Sequence, residues 1–262
     1  MPVFEFLQAQ TSGVIFLLVL SIAAPIAGAV LLTTGMIVKR YPETPFSVIV
    51  PAVLSTGLMT SLLLGFVFQR AWESFDVASK SLCQEVIHLG HIASACSFLA
   101  DEHAATVLEG VKSHVRHVLD TEWQQMATDR GPALTRAPGL SAVKAALMFT
   151  PRDEGERVGK QFIMSALSDA ATARSNRIRA SHVLIAAPLW LTIATLCVLL
   201  IIGIAFATSV KFATSALSVA LSTLAITCIL TIIIGFDRPF SGGVTVSKVP
   251  MQELLAFLSQ ER

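Results

Sequence analysis

Polar and apolar residues separate into blocks along this chain. Val14 to Val38, Phe46 to Phe68, Val183 to Thr208 and Phe212 to Phe236 contain no Asp, Glu, Lys or Arg. Each runs for roughly 23 to 26 residues, enough at 1.5 Å per residue to cross a bilayer core of about 30 Å, whereas apolar runs of about 10 to 14 belong to buried core helices. Between the second and third runs lies the block from Ala71 to Ser181, which carries most of the charge. The pattern predicts an all-α integral membrane protein with four transmembrane helices. A transmembrane hairpin (1–70, spans 14–38 and 46–68) precedes a helical cytosolic module (71–181), a second hairpin (182–236, spans 183–208 and 212–236) and a cytosolic tail (237–262).

Inside the module the period changes to that of half-buried helices. Trp72, Phe75, Ser79, Leu82, Val86, Leu89, Ala93 and Cys96 alternate steps of three and four, so span two is expected to continue as one long helix with an apolar seam. A second helix is expected from Asp101 to Ala127 and a shorter one from Leu140 to Phe149, with Asp129-Arg130-Gly131-Pro132 and Ala137-Pro138-Gly139 bracketing a loop. A further helix starts near Asp153 and reaches span three. In the tail, Ser247 is placed to cap a last helix with Leu254, Leu255 and Leu258 on one face.

The spans carry small and hydroxylated residues rather than charges. In span two Ser55, Thr56, Gly57, Thr60, Ser61 and Gly65 recur at helical spacing, which suits interhelical packing and equally suits the lining of a hydrated path. Ser55, Thr56 and Thr60, with Phe66 and Phe68 as a narrowing, are the pore-lining candidates. The absence of any ionisable residue within a span speaks against a proton-coupled transporter.

Composition adds exclusions. Only 14% of the 262 residues are charged, against about 25% in soluble domains, and the net charge of +1 leaves no basic face for nucleic acid. Cys83, Cys96, Cys197 and Cys228 form no CxxC pair, so free thiols are expected. His88 and His91, and His114 and His117, are two HxxH pairs, and Glu85 with His88 matches the ExxH of di-iron bundles. Without a second ExxH, solvated or locally hydrogen-bonded histidines are the expectation, with no metal and no cofactor. Neither a phosphate-binding loop nor a nucleophile motif occurs, and no enzyme is predicted. Glu122-Trp123 reads as an exposed helix end with its aromatic on the core, or as a ligand clamp. No cleavable signal is expected at the N-terminus. The short connections hold Lys39, Arg40 and Lys211, and the other side holds Arg70, Lys80, Arg174, Arg177, Arg179, Arg238 and Lys248. The positive-inside rule then predicts a multi-pass protein of the inner (cytoplasmic) membrane with both termini cytoplasmic.

Several of these residues carry a resemblance. Phe66-Val67-Phe68 followed by Trp72, Phe75, Ala78 and Glu85, then Glu122-Trp123, Arg177 and Arg179 before Pro188-Leu189-Trp190, and above all Asp237-Arg238-Pro239-Phe240-Ser241-Gly242, are similar to the bestrophin-like domain family of bacterial and plastid-type four-span membrane proteins. The resemblance implies cytosolic termini and a symmetric oligomer with an axial path for small anions. By analogy that oligomer is a pentamer, with a dimer left open. Where bestrophins proper carry paired prolines and an aromatic neck, span two here offers Pro51, Phe66 and Phe68.

Function is therefore expected to be that of an oligomeric channel, its partners the lipid bilayer, copies of itself and small anions. The alternative is a non-conducting scaffold whose cytosolic helices bind a protein partner. Asp237 follows the C-terminal end of span four, where the helix dipole disfavours an unpaired carboxylate. It is expected to pair with Arg177 or Arg179, while Arg238, Pro239, Phe240, Ser241 and Gly242 end the helix and turn the tail, together forming a structural latch.

Overall fold

A bilayer core holds no water for backbone N–H and C=O groups, so an apolar run has to close its hydrogen bonds internally. In the computed structural model, which describes residues 12–41, 49–128, 138–182, 185–241 and 243–260, each of the four runs does so as a helix. These are α1 (Ser12–Arg40), α2 (Val50–Ala95), α7 (Ala187–Ala207) and α8 (Phe212–Phe236). The described residues of the module and tail are also helical: α3 (Asp101–His117), α4 (Trp123–Ala127), α5 (Pro138–Ala146), α6 (Glu154–Ser181) and α9 (Val249–Gln260). A 3₁₀ turn, Cys96–Phe98, follows α2, and a π turn, Val118–Glu122, joins α3 to α4. The chain is all-α, with a large helical insertion between the second and third spans.

Contacts divide the chain into two units. The first comprises residues 1–73, 184–238 and 242–244, and the second 74–183, 239–241 and 245–262. In the first, α1, α7 and α8 pack pairwise on one another around Ala27, Ile193, Cys197, Ile201, Val219 and Ile226. The part of α2 in this unit leans on α7, where Gly57 and Gly203 clear the way: a Cβ on Gly203 would stand 2.7 Å from Val53 Cγ2. Small residues at such a seam let backbones approach, the main source of helix association in lipid.

In the second unit α3 packs on α5 and on α9, and α6 on the 3₁₀ turn and α5. Glycines make the α3–α5 approach close. A Cβ on Gly110 would lie 2.9 Å from Val143 Cγ2, and one on Gly139 would overlap the backbone of His114. Asp153 caps α6, its carboxylate accepting the N–H of Glu156 at 2.8 Å. Glu156 in turn accepts the N–H groups of Arg152 (2.7 Å) and Ala100 (3.2 Å), tying the start of α6 to the start of α3. Ser247 caps α9 by accepting the Val249 N–H at 3.2 Å.

Three expectations need correction. The helix from Asp101 to Ala127 is interrupted by the π turn. The short helix begins at Pro138 and ends at Ala146, with proline in the first turn, where its missing N–H costs nothing. The seam of α2 is broader than expected: Leu82, Leu89, Ala93 and Cys96 are buried on it, Ala71, Ser74, Ala78, Glu85 and Ile92 are buried beside them, and Trp72 at its start is 44% exposed. Glu85 is the charged residue among them, admitted by partners on other helices. The loop between residues 129 and 137, and Gly242 of the expected latch, lie outside the described residues.

Candidate functional site

Glu85 is wholly buried on α2 in the second unit, beyond the charge-free span. An isolated carboxylate there would be prohibitively costly, so its partners decide whether it stays ionised. Arg177 of α6 donates from Nε to Glu85 Oε2 at 2.7 Å and from a terminal nitrogen to Oε1 at 3.3 Å. His114 of α3 lies with Nε2 at 2.9 Å from Glu85 Oε1. Because an ionised carboxylate can only accept, the imidazole carries its proton on Nε2. Its Nδ1 is buried with no hydrogen-bond partner.

Arg177 also reaches the second carboxylate of the cluster, donating to Glu122 Oε2 at 3.0 Å, and its remaining terminal nitrogen sits 3.2 Å from the sulfur of Met126. Glu122 receives Arg174 as well, from Nε at 2.8 Å and a terminal nitrogen at 2.6 Å. Two carboxylates thus face two guanidiniums, none of the four side chains more than 2% exposed. The π turn ends on Glu122, and the wider winding of such turns resets helix phase, which leaves His114, Val118, Glu122 and Met126 all buried.

Burial alone would push the Glu85 carboxyl up. The Arg177 charge, the His114 hydrogen bond and the Arg177 hydrogen bonds outweigh burial and hold it at about 2. For Arg177, burial pulls down while Glu85 and Glu122 push up, and the net shift is upward. The cluster is a closed, charge-balanced clamp joining α2, α3, the π turn and α6.

The first unit carries a different feature. Ser55, Leu58, Leu62, Phe66, Gln69 and Glu73 step along one face of α2 and all are exposed, Phe66 at 72%. Thr60, Leu64, Val67 and Ala71 on the other face are buried. The aromatic contacts of Phe68 (6.3 Å) and Trp72 (5.2 Å) with Phe236 hold the helix in this rotation.

A family model for the bestrophin-like domain matches residues 13–251, nearly the whole chain, including all four spans and the residues of the clamp. The chain belongs to the bestrophin-like family. No curated protein and no solved structure matches it. Of the residues that carried the resemblance, Glu85, Glu122 and Arg177 are members of the clamp.

The bestrophin-like chain places its other predicted residues as follows. Ser55 and Phe66 lie on the exposed face of α2, with the Ser55 hydroxyl donating to Pro51 O at 3.0 Å. Thr56 is half-buried and accepts, through its carbonyl, the hydroxyl of the buried Thr60 at 2.7 Å. Phe68 packs on Phe236. Asp237, 2% exposed, accepts the N–H of Ile185 at 3.0 Å. Arg177 is engaged by Glu85 and Glu122, and Arg179 is exposed in the last turn of α6. Arg238 and Ser241 are half-buried, Pro239 is buried, and Phe240 stands edge-on to Trp123 at 5.3 Å.

Glu122 is not the exposed helix end expected from the sequence but a fully buried one. His114 is neither solvated nor bonded within its own helix but hydrogen-bonded to Glu85 of another helix, and Arg174 was missed as a partner. The one available signal was that charged residues carried the resemblance at positions adjoining an apolar seam. Among the described residues no group of three His, Cys, Asp or Glu could hold a metal ion.

Proposed function

We propose that the chain is a subunit of an oligomeric bestrophin-like channel that passes small anions along an axis lined by α2. The observation that carries this reading is the exposed stripe Ser55, Leu58, Leu62, Phe66: polar at one end, apolar through its middle, on the span whose other face packs against α7. Copies set around an axis would bring these faces together. The Phe66 side chains would then form a constriction that gates by dewetting. The proposal includes the inner membrane as its location, with both termini in the cytoplasm. Purified protein in liposomes tests it. Chloride flux above that of empty vesicles is expected, and flux equal to theirs from an intact oligomer refutes it.

A second reading, a non-conducting scaffold, draws on Ile87, Phe98, Val158 and Phe162, exposed apolar side chains of α2, the 3₁₀ turn and α6 in the second unit. Phe162 lies 6.2 Å from the His91 ring, and Phe98 packs over Gly159. Such a patch in water suits a protein partner. An intact oligomer without flux would support this reading.

A further inference from the structure

We infer that Glu73 and Arg70 set the charge preference of the path at the Phe66 end of its constriction, an inference that rests on the channel reading above. At 100° per residue, Glu73 lies within about 20° of Phe66 around the α2 axis, while Arg70 lies about 40° to the other side, toward the packed face. The rotation is held by Phe68 and Trp72 against Phe236 and by the buried Val67 and Ala71. Glu73 therefore projects squarely along the exposed stripe, with Arg70 on its flank.

The two charges are 3.6 Å apart, with side chains 58% and 65% exposed. At that exposure a pair is loosely held and each member still acts on its surroundings. A path for anions would meet a carboxylate from every copy just beyond the aromatic constriction, offset in each copy by the guanidinium beside it. The pair leaves this mouth close to neutral. Discrimination by charge in the parent protein is weak, and ion size and desolvation at Phe66 do most of the selecting.

Removing either charge should expose the other. A unit charge near 4 Å is worth about a factor of five even in water. Glu73→Gln is expected to raise the chloride-to-potassium permeability ratio by roughly fivefold, and Arg70→Gln to lower it by a similar factor. Both are surface substitutions, and native mass spectrometry confirms that the oligomers match the parent. The experiment is the reversal potential of the reconstituted parent and the two single variants in a potassium chloride gradient. Opposite shifts are the expected result. Parent-like reversal potentials in both variants, with flux intact, overturn the inference and leave the channel reading standing. Absence of flux in the parent overturns both.

Discussion

Arg177→Met isolates the role of the clamp. The substitution keeps an unbranched stem of similar length but removes the one cation shared by Glu85 and Glu122. Glu122 retains Arg174, whereas Glu85 is left with the imidazole of His114 alone. Stranding a buried charge in this way costs about 3 to 5 kcal/mol. The Glu85 carboxyl gives an independent figure: held at about 2 against an ordinary 4.5, it stabilises the fold by roughly 3 kcal/mol at 1.36 kcal/mol per tenfold change in proton affinity. For a chain of this size that corresponds to a fall of about 6 to 20 °C in unfolding temperature. The assay is thermal unfolding of the purified full chain in detergent, followed by tryptophan fluorescence, since Trp123 adjoins Glu122. The pH dependence sharpens the test. In the parent the depressed carboxyl contributes fully above about pH 4.5, and its contribution is lost as pH falls toward 2. In the variant, burial is no longer opposed by Arg177, so the folded state binds the proton more readily than the unfolded chain does. The deficit seen at about pH 7.5 should therefore narrow at about pH 5. Equal unfolding temperatures at neutral pH, or a deficit that widens on acidification, would refute the reasoning.

Other outcomes follow from the same geometry. Gly139→Ala forces a methyl group into the backbone of His114 and should cost about 1 to 3 kcal/mol, read as earlier unfolding in the same assay. Asp237→Ala removes the acceptor of the Ile185 N–H and should lose about 1 to 3 kcal/mol, whereas Asp237→Asn keeps an acceptor and should recover part of it in denaturant titration. Phe66→Ala should raise chloride flux in liposomes by widening the constriction, and unchanged flux would remove Phe66 from the path.

The four spans were legible because a charge-free run of such length has essentially one solution in lipid, a helix closing its own hydrogen bonds. The cap at Ser247 and the start of a helix near Asp153 were local matters as well, since each side chain accepts an N–H within three residues of itself. The apolar seam of α2 was legible in part: Leu82, Leu89, Ala93 and Cys96 are buried on it, whereas Trp72 is exposed and the buried Glu85 was not anticipated there. Periodicity assigns a face from the hydrophobic residues, and the polar residue that joined that face was admitted by partners on other helices. Glu85 meets His114 across 29 positions and Arg177 across 92, and Arg177 meets Glu122 across 55. Helical spacing says which residues of one helix share a side, but not which charge on another helix will neutralise them. That choice is made when burial strips away water, so that only mutually compensating charges can remain ionised together. Thr60 and Phe66 show the same division in the membrane. Both stood in one hydroxyl and aromatic pattern, and packing of α2 against α7 and against Phe236 of α8 left the first buried and the second exposed.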